Sequence, residues 1–257
     1  MLGIEKCFDK KIRLSVNMSS NDRKEIYDDI VFDYAAVKTN VFKSRYEESS
    51  FWKALGNIEG ISVLDLACGS GYYTRQFKEK HAAEVVGVDV SGEMITDAEK
   101  YESENPLGIK YHVHDASNYV YGHPFDLVTA QYLLCYAETE QKLSNFCVNA
   151  HQNTKPGGRF VTVTTVLEET CKMEDMDYGY RFVPCKEWVN TNGAEDGVKA
   201  NITLYSGDLN SQCTFPNFLW KPQTISRLLY NSGFTSVSVI PILSSVPVMI
   251  FSATRSI

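Results

Sequence analysis

The 257-residue sequence contains no Cys-x-x-Cys pair, and its seven cysteines (positions 7, 68, 135, 147, 171, 185 and 213) are scattered and odd in number. That pattern excludes a disulfide framework and a zinc knuckle and points to reduced thiols. No apolar run approaches the roughly 18 residues of a membrane helix. The first twenty residues lack the apolar core of a secretory signal, so a cytoplasmic chain without a membrane span is expected. An excess of positive charge is missing too. Against 25 Lys and Arg stand 32 Asp and Glu, a net charge of −7, which gives no broad field to hold a nucleic-acid backbone. Internal repeats and low-complexity tracts are also absent. A hydrophobic content of 44% suffices for one well-buried core, and this length is routine for a single α/β domain.

Hydrophobic periodicity organises what is present. Residues 1–20 have no sustained period and read as an arm; Met18 offers an alternative start. Ile26, Ile30, Tyr34 and Val37 define an apolar stripe on a helix over 22–39, and a second helical piece covers 50–55, closed by Gly56. Strands at 61–66, 84–88, 109–113, 125–130 and 159–166 then alternate with helices at 72–80, 92–101 and 138–151. Such alternation implies βαβ units and a mostly parallel sheet whose strand-to-helix loops share one edge. After residue 166 the rhythm breaks. Residues 167–200 show no clean period, 201–205 and 212–218 suggest an antiparallel pair joined at Ser206-Gly-Asp208, 222–231 a helix, and 237–240 with 246–254 a final antiparallel hairpin. The expected division is an arm (1–20) and one domain (21–257). The domain comprises a helical cap (21–56), a central core (57–166), an insertion (167–220) and a C-terminal helix with hairpin (221–257).

The strongest chemical signal is Val63-Leu-Asp-Leu-Ala-Cys-Gly-Ser-Gly-Tyr-Tyr-Thr74. An apolar strand enters a tight loop in which Gly69 and Gly71 let the backbone approach a ligand closely. Asp89 ends the next strand, where a carboxylate can accept both ribose hydroxyl hydrogens of a nucleoside. Asp115-Ala116 follows the third strand, Phe125-Asp-Leu-Val-Thr-Ala-Gln131 forms the fourth, and Lys155-Pro-Gly-Gly158 makes a turn before the fifth. A nicotinamide-binding domain shares the glycines and the strand-end acid, but its third glycine would fall at Thr74.

These five elements, in order over about residues 61–166, resemble class I S-adenosylmethionine-dependent methyltransferases, nearest to those of small-molecule biosynthesis such as the toxoflavin and teleocidin enzymes. The resemblance implies a Rossmann-like α/β fold with a seven-stranded, mostly parallel sheet in the order 3-2-1-4-5-7-6, helices on both faces and a small antiparallel insertion. It implies S-adenosyl-L-methionine as cofactor, S-adenosyl-L-homocysteine as product, and methyl transfer to a nitrogen, oxygen or carbon of a small molecule. Asp65, Ala67, Gly69, Gly71, Asp89, Val90, Met94, Asp115, Ala116 and Gln131 would form the cofactor site. Tyr27-Asp28, Tyr34 and Lys38 resemble a segment that precedes the glycine loop in such enzymes, making Tyr34, Arg45 and Tyr46 candidates to close over the cofactor carboxylate. Tyr132, Tyr136, Tyr178, Trp188 and Trp220 are candidate walls for the acceptor, and aromatic core packing is the competing reading for each.

No catalytic residue is assigned. Tyr132, Tyr136, His123 and Glu168 are expected near the active edge, whereas Asn149, His151 and Gln152 read as a helix exterior. His112 and His114 share a strand face, but strand packing outweighs a metal site. A G-x-S-x-G nucleophile elbow is missing, and the sequon Asn201-Ile-Thr203 has no role in a cytosolic chain. Expected partners are the small-molecule acceptor, with no nucleic acid and no membrane, for a monomer or homodimer. The alternative function is a catalytically silent binding or regulatory module that keeps the fold.

Overall fold

The computed structural model describes residues 43–168, 174–175, 179–184, 196–206 and 212–257. The expected arm, the helix at 22–39 with Tyr34, and Tyr178 and Trp188 lie outside the described residues. A π-helical turn at Lys43–Glu47 leads into α1 (Glu48–Leu55), followed by β1 (Ser62–Leu66), α2 (Tyr72–Glu79), β2 (Glu84–Asp89), α3 (Gly92–Glu104), β3 (Lys110–Val113) and β4 (Phe125–Gln131). A 3-10 turn at Leu134–Tyr136 precedes α4 (Glu140–Asn153) and β5 (Thr154–Thr165). Then come β6 (Glu174–Asp175), β7 (Tyr180–Pro184), β8 (Val198–Tyr205), β9 (Gln212–Leu219), α5 (Pro222–Asn231), β10 (Phe234–Pro241) and β11 (Val248–Arg255).

The main sheet has the order β10-β11-β5-β4-β1-β2-β3. Strands β6–β9 form a sheet of their own, so β10 and β11 are the sixth and seventh strands of the main one. Counted that way, the order is the expected 3-2-1-4-5-7-6. Strands β1 to β5 pair in parallel and β11 runs antiparallel between β5 and β10.

Both faces of the sheet are covered, which is why its central strands are nearly continuous apolar runs. Alternation along β1 sends Leu64 and Leu66 to one core, with Phe146 of α4 and Leu229 of α5. Val63 goes to the other, with Phe51 and Leu55 of α1 and Tyr73 and Phe77 of α2. Local signals set several boundaries. Ser91 caps α3 by accepting the Met94 amide at 3.2 Å, Thr139 caps α4 through the Lys142 amide at 3.2 Å, and Pro222 opens α5.

Two expectations needed correction. The Pro-Gly-Gly turn is absorbed into β5, whose pairing with β4 jumps from Phe125↔Thr154 to Leu127↔Arg159; the extra residues form a bulge at the start of the strand. The insertion is four-stranded, because Tyr180–Pro184 pairs with β8 and Glu174–Asp175 with β7. Those short strands carry no clean alternation and were invisible to periodicity.

Candidate functional site

The C-terminal ends of β1, β2 and β4 surround the point where successive connections leave in opposite directions along the sheet, the place where ligands enter such folds. From β1 the chain turns through Ala67 at φ 55° to Gly69 at φ 55° and Gly71 at φ 78°. The Cys68 amide donates to the Val88 carbonyl and the Gly71 amide to the Cys68 carbonyl, both at 3.0 Å. Gly71 is required on two grounds. Its backbone is left-handed, and a Cβ there would stand 2.4 Å from the Tyr111 hydroxyl.

Two carboxylates hold this loop from different sides. Asp65 is 1% exposed and lies beneath it, accepting the hydroxyls of Thr74 at 2.7 Å and Thr129 at 2.9 Å. Burial pushes its carboxyl up to about 7; the two hydroxyls oppose the shift and the charge of Asp89 adds to it. Asp89 lies at the rim. One of its oxygens accepts the Gly69 amide at 2.8 Å and the other the Ser91 amide at 2.9 Å. Met94, buried on the first turn of α3, points its sulfur toward Gly69, and Val90 is half-buried beside Asp89.

Asp115 and Ala116 follow β3, which the His114 amide ties to the Asp89 carbonyl at 2.8 Å. Asp115 accepts the Ser117 amide at 2.8 Å and pairs with the Lys142 ammonium at 3.0 Å. Burial alone would raise its carboxyl, but the Ser117 and Lys142 hydrogen bonds outweigh that and hold it below the ordinary range. Ala116 is buried in the core cluster beside β4.

At the end of β4, the Gln131 side-chain nitrogen is buried and, among the described residues, has no hydrogen-bond partner. Tyr132 follows in a left-handed conformation, φ 60°, with its amide bonded to the Val163 carbonyl at 2.7 Å. Of the three non-glycine residues with positive φ among those described, Ala67 and Tyr132 directly follow the paired strands β1 and β4. A β-carbon makes such backbone costly, on the order of 1–3 kcal/mol, and surrounding contacts must hold it. The Tyr132 hydroxyl donates to Glu47, a residue 1% exposed that also accepts the Tyr73 hydroxyl at 3.1 Å. The neighbouring Glu48 accepts the Tyr72 hydroxyl at 2.5 Å.

The structure therefore brings together Asp65, Ala67, Gly69, Gly71, Asp89, Val90, Met94, Gln131 and Tyr132, with Asp115 and Ala116 alongside. Tyr136 is half-buried on the adjoining 3-10 turn and Glu168 half-buried just past β5. Arg45 is exposed and Tyr46 half-buried. Trp220 belongs to the core: it is 5% exposed, its indole nitrogen donates to the Ala137 carbonyl at 3.0 Å, and its ring fills the space a Cβ on Gly197 would need. His123 is at the opposite edge, 3.4 Å from Glu84 at the start of β2; parallel strands put the beginnings of β2 and β4 away from the crevice. Asn149 is buried rather than exterior, bonded to Asn153, and His151 packs edge-on against Phe234 at 5.1 Å. Glu47 and Lys142 went unnoticed in the sequence. Neither belongs to a local motif, and both reach the site from helices remote in sequence.

Residues 63–158 match the family described as methyltransferase domain. The amino-sugar enzyme dTDP-4-amino-2,3,4,6-tetradeoxy-D-glucose N,N-dimethyltransferase of Saccharopolyspora spinosa is 31% identical over 101 residues, 39% of this chain and 39% of that protein. Demethylmenaquinone methyltransferase of Lactococcus lactis subsp. lactis is 29% identical over 168 residues, 62% of this chain and 63% of that protein. The chain thus matches less than two thirds of the length of these relatives. Among solved structures, the DhpI–SAM–HEP complex superposes with a TM-score of 0.62 at 20% identity, covering 93% of this chain and 99% of that one. A Clostridium acetobutylicum S-adenosylmethionine-dependent methyltransferase gives 0.59 at 19% identity, covering 92% and 98%. The fold is the one these solved methyltransferase structures share, and residues 63–158 are similar to the methyltransferase-domain family.

Proposed function

We propose that this protein transfers a methyl group from S-adenosylmethionine to a nitrogen, oxygen or carbon of a small-molecule acceptor. The observation that carries the reading is the double clasp of Asp89, whose two oxygens take the Gly69 and Ser91 amides at 2.8 and 2.9 Å. A carboxylate offers about four acceptor positions. Anchored by two amides at the rim of the crevice, this one is held in a fixed orientation to receive ribose hydroxyl hydrogens. The other residues fit the same donor. Asp115 supplies an acceptor for the adenine amino group, Met94 and Val90 an apolar wall for the ring, and the buried Gln131 amide a donor toward the methionine part.

Bound there, S-adenosylmethionine supplies a methyl group already activated by its sulfonium. The work left to the chain is to hold acceptor, methyl carbon and sulfur in line, where proximity and orientation contribute about 7–11 kcal/mol. Covering elements exclude water and strengthen the electrostatics of the crevice. Tyr132 and Tyr136 stand nearest the acceptor on this reading, and the sheet β6–β9 forms its far wall. The acceptors for which these relatives are named, a dTDP-linked amino sugar and demethylmenaquinone, support a small acceptor without choosing its reacting atom.

Isothermal calorimetry tests the reading directly. The purified chain should bind S-adenosylmethionine and S-adenosylhomocysteine with one-to-one stoichiometry and gain thermal stability from each. Absence of heat and of thermal shift with both would overturn it. Binding without transfer to any of a panel of amines, phenols and carboxylates would select the silent-module alternative.

A further inference from the structure

Among the described residues, a buried carboxylate beside the crevice, Glu47, is not explained by the donor-binding motifs. Helix α1 lies along α2 in the same direction. Phe51 packs on Tyr73 at 5.1 Å, Trp52 on Phe77 at 5.5 Å, and Lys80 sits 4.6 Å from the Trp52 ring. At the other end of α1, Arg159 of β5 holds the Leu55 carbonyl at 2.6 Å. This seating carries the start of α1 to the ligand edge of the sheet. There Glu47 touches Tyr73, two residues past Gly71, and Tyr132, one residue past Gln131. Its carboxylate therefore bridges the two lips of the crevice.

Both contacts are phenols. Burial and the nearby carboxylates push the Tyr73 hydroxyl well above its ordinary range, so it stays protonated and donates. Phenols satisfy lone pairs but leave the charge uncompensated, and among the described residues no ammonium, guanidinium or imidazole pairs with Glu47. Buried carboxylates are retained when a cation meets them. On the reading that the crevice takes S-adenosylmethionine, the ligand brings such a cation between these same two lips.

We propose that Glu47 is the counter-charge for the donor's sulfonium and makes the site prefer S-adenosylmethionine over S-adenosylhomocysteine. Transfer turns the sulfonium into an uncharged thioether. The carboxylate then loses its partner, and the product is released from a site built for the cation. The α-ammonium group does not provide this discrimination, because donor and product both carry it.

The test is the affinity ratio of the two ligands, measured by calorimetry on the full chain. Glu47→Gln keeps the side chain's shape and removes its charge; its amide oxygen accepts from one phenol, while the other phenol must turn its proton away to accept from the amide nitrogen. Because both ligands meet that same rearrangement, the ratio of affinities isolates the charge. S-adenosylmethionine should weaken at least about tenfold, the scale expected for one partly buried charge pair, and S-adenosylhomocysteine by less than about threefold. Glu48→Gln, which alters the neighbouring carboxylate at Tyr72, should leave the ratio at its wild-type value. If Glu47→Gln unfolds, Glu47→Asp keeps the charge and should retain the preference for the donor. Equal weakening of both ligands, or an unchanged ratio, overturns the proposal. Failure of the wild type to bind either ligand instead overturns the functional reading on which it rests.

Discussion

The crevice side of the main sheet and the sheet β6–β9 are fastened in opposite ways. Around the crevice, each loop is held by a carboxylate placed close to it in sequence or on the next strand. Asp89 gathers the Gly69 and Ser91 amides, Asp115 the Ser117 amide and Lys142, and Asp65 two threonines. The second sheet joins the core through a seam and through apolar packing. Tyr180, Ala200, Ile202 and Leu219 share a buried cluster with Val163, Val248 and Ile250 of the main sheet, and the Tyr180 hydroxyl donates to the Ser245 carbonyl at 3.4 Å. Where the chain leaves and returns, Val166 bridges Trp220 and the Leu167 amide donates to the Trp220 carbonyl at 2.9 Å. Thr165 reaches Asn217 at 3.1 Å. Short-range hydrogen bonds to carboxylates fasten the crevice loops, whereas the second sheet is seated mainly by apolar packing, with a few hydrogen bonds at the seam.

The largest effect should come from cutting the seam. Trp220→Ala removes a buried indole, its hydrogen bond to Ala137 and the filling beside Gly197, and should cost about 3–5 kcal/mol in urea unfolding. At temperatures where the variant stays folded, its affinity for S-adenosylmethionine should remain near wild type. A parallel collapse of donor binding would show that the two regions are one unit.

A second effect lies beneath the crevice. Burial holds the Asp65 carboxyl at about 7 against 3.8 for an ordinary aspartate. The folded state therefore binds more protons than the unfolded chain between about pH 4 and 7, and stability falls as pH rises through that window. Inside it, a rise of one in pH costs at most about 1.4 kcal/mol. Asp65→Asn should gain stability relative to wild type as pH rises from 5 to 8, followed by urea melts at each pH. Asp126, whose hydrogen bonds to Ser62 and Lys155 outweigh burial and hold it at about 2, acts in the opposite sense and in a separate window. Its contribution is present above about pH 4 and lost as pH falls toward 2. Parallel curves for Asp65→Asn and wild type would mean that the carboxyl stays charged under the loop.

The smallest effect on folding, but a selective one on binding, belongs to the rim. Asp89→Ala should weaken S-adenosylmethionine by an amount matching about 1.5–3 kcal/mol for a charged hydrogen bond, with a modest change in melting temperature. Unchanged affinity in calorimetry would remove Asp89 from the ribose site.

Much of the cradle was legible because its determinants are local. A strand must end before Ala67-Cys-Gly-Ser-Gly71, an acid at the end of the next strand must meet that loop in a parallel pair, and Ser91 and Thr139 announce their helices. Thr74 was legible in a negative sense, as the residue that a nicotinamide fingerprint would not have. Its positive role, donating to Asp65, needs the turn of α2 that lays it over β1. Trp220 illustrates the opposite case. An aromatic in an irregular stretch looks alike whether it lines a pocket or seals a seam, and packing against Gly197 and Ala137 decides between them.

The sequence by itself determined the order of strands and helices in the main sheet, the glycine loop and the strand-end acids, since periodicity, capping and backbone sterics act over a few residues; the two short strands of the insertion lay beyond it. Tertiary structure decided which groups lie at the crevice without belonging to any motif. It sent His123 to the far edge by the parallel direction of β2 and β4, and Asn149 into the core by the face α4 presents. It brought Glu47 to Tyr73 and Tyr132 through the packing of Phe51 and Trp52 on α2. A buried carboxylate of that kind has no local signature, because its energy depends on burial and on partners 26 and 85 residues away.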